Sequence, residues 1–327
     1  MTEGLKEEIL ARTRDDLEAI EAALRTNLNP YLEKVSEIAG HILFSGGKRV
    51  RPLLFVLCAR LCGYTRDDDK TYSVIFEYFH TATLLHDDLV DDATVRRGNA
   101  VAHAVWDSAS AVLVGDFLIA RASSIAVKTG RMEIISILAS VTEMMSQGEI
   151  HQLSRKGRAD LTEEEYRTII RNKTAVLMEG ACRSGAVIAG ASKAAADALA
   201  VYGMNLGMAF QMADDLLDYQ ADDAELGKKV GADLREGKFT LPLIHALAKA
   251  DAGDAAFIRE IAAKPDFTSR EFDDLKGLLE KYGSIVYTEQ CAADHVQKAG
   301  EALSAFPASE TRALLEMLAT YSMSRKT

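Results

Sequence analysis

The sequence predicts an all-α protein, an antiparallel helical bundle around a deep central cavity. Proline is scarce, five in 327 residues, and none falls between Pro52 and Pro242. Alanine, leucine, glutamate and lysine are abundant and β-branched runs are short, a composition that favours helix. The cavity follows from two aspartate clusters, distant in sequence, that each interrupt a strongly apolar helical stretch and must face one another across one space. Residues 1–327 are therefore expected to form a single domain.

Composition narrows the function. Hydrophobic residues make up 48% of the chain, enough for a substantial core, and the net charge is −11. So acidic a chain is not expected to bind nucleic acid. Any polyanionic ligand must be met by locally placed basic residues and recruited cations. The four cysteines, Cys58, Cys62, Cys182 and Cys291, lie in apolar helical contexts without zinc-ligand spacing, as reduced core thiols of a cytoplasmic protein do. The N-terminus has no apolar core of signal-peptide type. No uninterrupted apolar run reaches the roughly 18 residues of a spanning helix, so no membrane span is expected.

In chain order, residues 5–28 form an amphipathic outer helix marked by Leu5, Ile9, Leu17, Ile20 and Leu24. Pro30 punctuates it, and a second helix runs to about Phe44. Ser45-Gly46-Gly47 then allows a tight turn before Lys48-Arg49-Val50-Arg51-Pro52. Pro52 suits the first turn of a helix, whose N-terminus favours an anion. Lys48 and Arg51 thus suit a phosphate, although a basic loop without a ligand would look the same.

The next helix, with Ile75, Phe76, Phe79, Leu84, Leu85, Leu89 and Val90 as apolar marks, carries His80 and then His86-Asp87-Asp88-Leu89-Val90-Asp91-Asp92. Four carboxylates in six residues repel one another, so folding alone does not favour them. Asp87 and Asp91 are i and i+4 and share a helix face. Carboxylates on one face with Arg96-Arg97-Gly98 just beyond suit a hard divalent metal plus phosphate. Taken singly, His80 reads as a satisfied core histidine and Arg96-Arg97 as an ordinary charge pair at a helix end.

A connecting stretch runs through Ser108, followed by buried helices at 109–129 and 132–153. A helix from about Glu163 carries Asn172-Lys173-Thr174-Ala175 and a run of small residues to Gly190, which permit close helix approach. The helix at about 198–219 holds the second cluster, Gln211-Met212-Ala213-Asp214-Asp215-Leu216-Leu217-Asp218, with the same i, i+1, i+4 spacing. A polar stretch from Asp222 to Asp233 has the glycines and charges of a mobile lid and includes Lys228; Lys238 follows. Beyond Pro242 the chain is helical again, with a polar break near residues 251–269.

One Asp-Asp-x-x-Asp is weak evidence, because acidic runs are common on solvated helices. Two copies, each among apolar neighbours, are specific. Together with Gly46-Gly47-Lys48-Arg49-Val50-Arg51-Pro52 and Gly237-Lys238-Phe239-Thr240-Leu241-Pro242, they make the chain resemble the trans-isoprenyl (polyprenyl) diphosphate synthases over nearly its whole length. The resemblance is strongest to long-chain members such as octaprenyl diphosphate synthases. It implies extension of an allylic prenyl diphosphate by isopentenyl diphosphate, Mg2+ as cofactor with three ions when substrate is bound, and a homodimer.

The resemblance assigns Lys48, Arg51, His80 and Arg97 to isopentenyl diphosphate. It assigns Arg96, Lys173, Thr174, Gln211, Lys228 and Lys238 to the allylic diphosphate. The aspartates Asp87, Asp88, Asp91, Asp214, Asp215 and Asp218 join Arg96 and Lys173 as the catalytic set. Mg2+ typically uses one or two carboxylates plus phosphates, so Asp87, Asp91 and Asp214 are expected as principal ligands. Asp88, Asp215 and Asp218 are expected to act through water or to orient those ligands.

Product length should depend on the space beneath the first cluster, where Ala82 and Thr83 lie one turn before Asp87. An aromatic there closes the cavity early, whereas small Ala82 leaves it open. Ala120, Ser123, Ser124 and Ala126 are small, and Ile125 and Leu138 are candidate walls. The expected product is a hexa- to octaprenyl chain grown on farnesyl or geranylgeranyl diphosphate, of the kind used for quinone side chains.

Four alternatives remain at the level of sequence. A short- or medium-chain, geranylgeranyl-type synthase shares every motif. A terpene cyclase needs no second diphosphate site, which Lys48/Arg51 and Arg96-Arg97 provide. A non-catalytic subunit should have lost aspartates. A metal-dependent phosphohydrolase needs histidine ligands that His41, His103, His151, His245 and His295 are not spaced to supply.

Overall fold

The structure, a computed structural model, describes residues 2–220, 231–264 and 266–324. Lys228 and most of the expected lid lie outside these residues. The first half comprises α1 (Thr2–Leu28), α2 (Glu33–Leu43), α3 (Val50–Leu61), α4 (Asp69–Val90), the strands β1 (Val95–Arg96) and β2 (Asn99–Ala100), α5 (Ala102–Val105), α6 (Ser108–Lys128) and α7 (Met132–Arg155). The second half comprises α8 (Glu163–Ile170), a π-helical segment (Arg171–Ala175), α9 (Val176–Ile188), α10 (Lys193–Gln220), α11 (Ala232–Arg235), α12 (Leu241–Lys249), α13 (Ala252–Ala262), α14 (Ser269–Lys281), α15 (Ser284–Leu303) and α16 (Glu310–Ser324). The all-helical expectation holds. The described strands form one antiparallel hairpin, with Val95 opposite Ala100 and Arg96 opposite Asn99.

Helix α3 shows why the bundle closes. Every residue from Pro52 to Ala59 is buried. A helix apolar on all sides is stable only when surrounded, and α1, α4, α9 and α16 enclose it. Gly185 of α9 lets that helix approach closely, since a Cβ there would lie 2.4 Å from the Phe55 carbonyl oxygen. The small-residue run of α9 is therefore a packing device. Buried side chains form two apolar clusters: one spans α1 to α7, α9 and α16, the other α8 and α11 to α14, and α10 and α15 contribute to both.

Helix α9 lies between the two aspartate helices, packing on α4 on one side and on α10 on the other. It holds the clusters apart and leaves room between them. Helix α6, 21 residues with a mean hydropathy of 1.6, is long and apolar enough to cross a membrane, yet it carries Asp116 and Arg121 and packs along α4.

A buried arginine fixes the glycine loop. Arg49, 5% exposed, occupies the left-handed region at φ 48° as the cap of α3. Its Nε donates to Glu21 at 2.5 Å and its Nη1 to Glu77 at 2.7 Å; Nη2 donates to the Leu43 carbonyl. One side chain thus ties α1, α2 and α4 to the start of α3, between Lys48 and Arg51. Glu77 is itself 4% exposed. Removing one partner of a buried ion pair costs about 3–5 kcal/mol, because the other charge is left uncompensated. Glu77→Ala is accordingly expected to destabilise the protein by roughly 3 kcal/mol in denaturant unfolding; a change within experimental error would show that Glu21 alone satisfies Arg49.

Candidate active site

The six cluster aspartates divide into two kinds. Asp88, Asp215 and Asp218 are 2%, 3% and 1% exposed, and each is engaged by a neighbour. Arg96 Nε donates to Asp88 Oδ1 at 2.7 Å. Asp215 accepts from Tyr166 Oη at 2.6 Å and from Gln211 Nε2 at 2.8 Å. Asp218 caps α11, its two oxygens each accepting a backbone N–H, from Ala232 and Asp233, at 3.0 Å. Asp87 and Asp91 are partly exposed and Asp214 is exposed. The accessible three are thus oriented by helices whose other aspartates hold the surroundings.

The first cluster closes α4. Asp91 is the C-cap, its N–H bonded to the Asp87 carbonyl at 2.8 Å. Lys238 Nζ lies 3.5 Å from Asp91 Oδ2 and Lys156 Nζ lies 3.8 Å from Oδ1. Both lysines are held by the same backbone contact, in which Gly157 N–H donates to the Gly237 carbonyl at 2.8 Å. Burial pushes the Asp87 carboxyl up to about 6, further aided by Glu149 and Asp91 and opposed by Lys173 and Arg96. Burial likewise raises Asp88, partly offset by Arg96.

Lys173 and Thr174 sit in the π-helical segment, an irregularity frequent at functional sites. Two glycines let neighbouring helices grip it: a Cβ at Gly148 would lie 2.8 Å from the Lys173 nitrogen, and one at Gly207 2.5 Å from Ala175 Cα. Lys173 Nζ is held by Glu149 at 2.6 Å and Gln152 at 2.7 Å. Thr174 Oγ1 donates to Gln211 Oε1 at 3.0 Å. Lys173 thus acts on Asp87 and Lys238 on Asp91, while Thr174 is tied to Gln211 of the second aspartate helix.

A separate basic group forms above α3. The turn Arg97-Gly98 has positive φ at both positions, 51° and 77°, as a two-residue hairpin with matching twist requires. An arginine in the left-handed region is disfavoured by roughly 1 kcal/mol; it projects its guanidinium to the Gly46 carbonyl. His80 faces Arg51, Arg97, Arg96 and Arg49, and burial together with these cations holds its pKa well below the imidazole range. The ring is neutral and retains one donor and one acceptor. Lys48 Nζ lies 6.0 Å from the centre of the Tyr321 ring on α16, beside a small apolar pocket lined by Val50, Met178 and Phe210.

Among the described residues no three carboxylate, histidine or cysteine side chains form a closed metal cage. The accessible carboxylates Asp87, Asp91 and Asp214 offer oxygen donors of the kind that suit Mg2+, which keeps several waters and shares its sites with phosphate oxygens. Asp88 Oδ2, buried without a hydrogen-bond partner, is suited to a water on such an ion.

Ala82, Ile125, Ala126 and Leu138 are buried, at 0%, 1%, 1% and 4% exposure. Thr83 is partly buried and donates to the His80 carbonyl. Ala120, Ser123 and Ser124 are exposed. They lie opposite the apolar face that α6 turns to α4, so the single chain gives Ser123 no place in an internal wall. Glu149, Gln152, Lys156 and Tyr166 were not expected from the sequence; the available signal was Gly148-Glu149 with Gln152, polar residues interrupting an apolar helix.

The chain matches the polyprenyl synthetase family model over residues 32–279. It is 38% identical over 319 residues to octaprenyl diphosphate synthase of Haemophilus influenzae, covering 98% of this chain and 97% of that one. Its fold is similar to that of a polyprenyl synthase from Caulobacter crescentus complexed with calcium and isoprenyl diphosphate, with a TM-score of 0.92, 39% identity and 98% of each chain covered. A geranylgeranyl pyrophosphate synthetase from Pyrococcus horikoshii superposes at 0.91 with 31% identity, covering 98% of this chain and 99% of that one.

The raised Asp87 pKa has a consequence for stability. An acid whose folded pKa lies above its unfolded value destabilises the fold above the unfolded pKa, and the cost reaches its full size above the folded one, here about 6. In metal-free buffer Asp87→Asn should melt higher than wild type at about pH 8, with the gap narrowing toward about pH 5. A variant that melts lower at the higher pH would contradict the assigned cause. The chain belongs to the polyprenyl synthetase family and is a prenyltransferase of the trans-isoprenyl diphosphate synthase type, which condenses isopentenyl diphosphate with an allylic diphosphate.

Proposed function

We propose that this enzyme makes a long-chain all-trans polyprenyl diphosphate, hexa- to octaprenyl, by repeated addition of isopentenyl diphosphate to farnesyl or geranylgeranyl diphosphate. Two sets of side chains support the two-substrate reading: Arg51 and Arg97 around His80, and Lys173 and Lys238 beside Asp87 and Asp91. Lys48, Arg51, His80 and Arg97 form one, suited to isopentenyl diphosphate. Arg96, Lys173, Thr174, Gln211 and Lys238 form the other, suited to the allylic diphosphate, with Lys228 joining them by resemblance. A cyclase needs only the second group.

Asp87, Asp91 and Asp214 would hold Mg2+; a polyprenyl synthase of the same fold is complexed with calcium and isoprenyl diphosphate. When bound, Mg2+ supplies positive charge to the oxygens of the leaving diphosphate. Lys173 and Lys238 add fixed donors to the same oxygens. The allylic carbon–oxygen bond breaks with its electron pair leaving on diphosphate. The double bond of isopentenyl diphosphate then forms the new carbon–carbon bond, and a proton passes to the departed diphosphate. Asp88, Asp215 and Asp218 orient the site rather than react.

The long product rests on Ala82, fully buried one turn beneath Asp87 with no side chain beyond Cβ, with Ala126 and Leu138 further along. Relatives of this fold span products from geranylgeranyl to decaprenyl, so overall shape does not select a length. A homodimer is supported by apolar side chains exposed on α6 and α7: Leu113 at 65%, Val127 at 60%, Met132 at 75% and Ile150 at 66%. A patch of this kind marks an interface, and a second copy is the partner proposed, in a cytoplasmic enzyme whose product serves quinone side chains.

Incubation with Mg2+, farnesyl diphosphate and labelled isopentenyl diphosphate tests the reading. Discrete long chains that vanish in Asp87→Ala are expected. A C20 product would support the geranylgeranyl-type reading, and cyclised or untouched farnesyl diphosphate would overturn elongation. In the same assay Ala82→Phe should shorten the product, and an unchanged length would remove Ala82 from the length-setting role.

A further inference from the structure

We infer that Tyr166 is a positioning residue for the allylic diphosphate donors, acting through Asp215 and Gln211. The inference rests on the proposed assignment of Thr174 and Gln211 to that diphosphate. Tyr166 belongs to α8, is 3% exposed, and belongs to none of the motifs that mark the chemistry.

The geometry is a directed chain of three hydrogen bonds. Tyr166 Oη donates to Asp215 Oδ2 at 2.6 Å. Gln211 Nε2 donates to Asp215 Oδ1 at 2.8 Å. Thr174 Oγ1 donates to Gln211 Oε1 at 3.0 Å. Each link joins a different pair of partners: α8 to α10, one turn of α10 to the next, and the π-helical segment to α10.

A glutamine amide can be flipped with little change in shape, so its orientation is set by its partners. Here the carboxylate of Asp215 accepts only, which forces the Gln211 amide nitrogen toward it and leaves Gln211 Oε1 toward Thr174. Asp215 can do this only if its own plane is fixed. With the Tyr166 hydroxyl on one oxygen and Gln211 on the other, it is fixed. Without Tyr166, Oδ2 is a buried acceptor lacking its donor, and the carboxyl is free to rotate, which loosens its hold on Gln211 and through it on Thr174. The proposed isopentenyl diphosphate group, Lys48, Arg51, His80 and Arg97, shares no member of this chain of hydrogen bonds.

The phenyl ring of Tyr166 belongs to the second apolar cluster, so Tyr166→Phe keeps the packing and removes only the donor. A tenfold change in affinity corresponds to about 1.4 kcal/mol, within the reach of one hydrogen bond to a charged group. The KM for farnesyl diphosphate should therefore rise about tenfold in Tyr166→Phe, with the KM for isopentenyl diphosphate within about twofold. A double-mutant cycle with Thr174→Ala should be non-additive in the farnesyl diphosphate KM, since both changes disturb one chain.

Equal rises in both KM values, a loss of kcat that follows the melting temperature alone, or strict additivity would reduce Tyr166 to a structural staple and overturn the inference. Should the wild type incorporate no isopentenyl diphosphate, the proposed activity fails by itself. Calorimetry of inorganic diphosphate with Mg2+ then decides the positioning role: weaker binding by Tyr166→Phe upholds it, and equal binding rejects it.

Discussion

The structure depends on solving one electrostatic problem: how apolar helices hold two clusters of three carboxylates each. Repulsion and desolvation both oppose the arrangement. The solution is unequal treatment. Asp88, Asp215 and Asp218 are buried and engaged by Arg96, by Tyr166 with Gln211, and by the first turn of α11. Asp87, Asp91 and Asp214 remain accessible in the gap that α9 holds open. Asp87 keeps part of the burden, and its carboxyl is raised to about 6. Such a cost in the empty protein is what the metal-binding role proposed for Asp87 would require.

The same helix separation organises the cations. Lys238 and Lys156 approach Asp91 because their loops share the Gly157–Gly237 hydrogen bond. Lys173 is fixed by Glu149 and Gln152 because Gly148 lets α7 reach the π-helical segment. Arg49 anchors the glycine loop from below, while Arg97 reaches it from the hairpin. Backbone features that look like irregularities, a π segment and two arginines at positive φ, are the places where charged side chains are aimed.

Much of this was legible in the chain itself. Low proline, apolar periodicity and the doubled aspartate spacing were enough for an all-helical bundle and for a family resemblance that the comparisons establish. What the sequence did not reveal was how partners are distributed. The continuous helix expected from Glu163 is broken at Arg171–Ala175, since no local propensity encodes a π segment; it arises where Gly148 and Gly207 allow two helices to press on it. Arg49 looked like one more cation in a basic loop; the structure buries it against Glu21, Glu77 and the Leu43 carbonyl. Ser123 looked like a small cavity residue, but the buried face of α6 is set by Ala111, Val114, Leu118, Ala122 and Ile125, which turns Ser123 outward. Tyr166 carried no signal, because a single tyrosine in a charged helix does not show which carboxylate it will meet.

The division of the aspartates is tested most directly by diffraction from crystals grown with Mn2+ and a non-hydrolysable allylic diphosphate, using the anomalous signal to locate the metal. The account predicts ions in direct contact with Asp87, Asp91 and Asp214, and water between the metal and Asp88. An ion bound directly to Asp88 or Asp218, with the Arg96 or α11 contact broken, would contradict it.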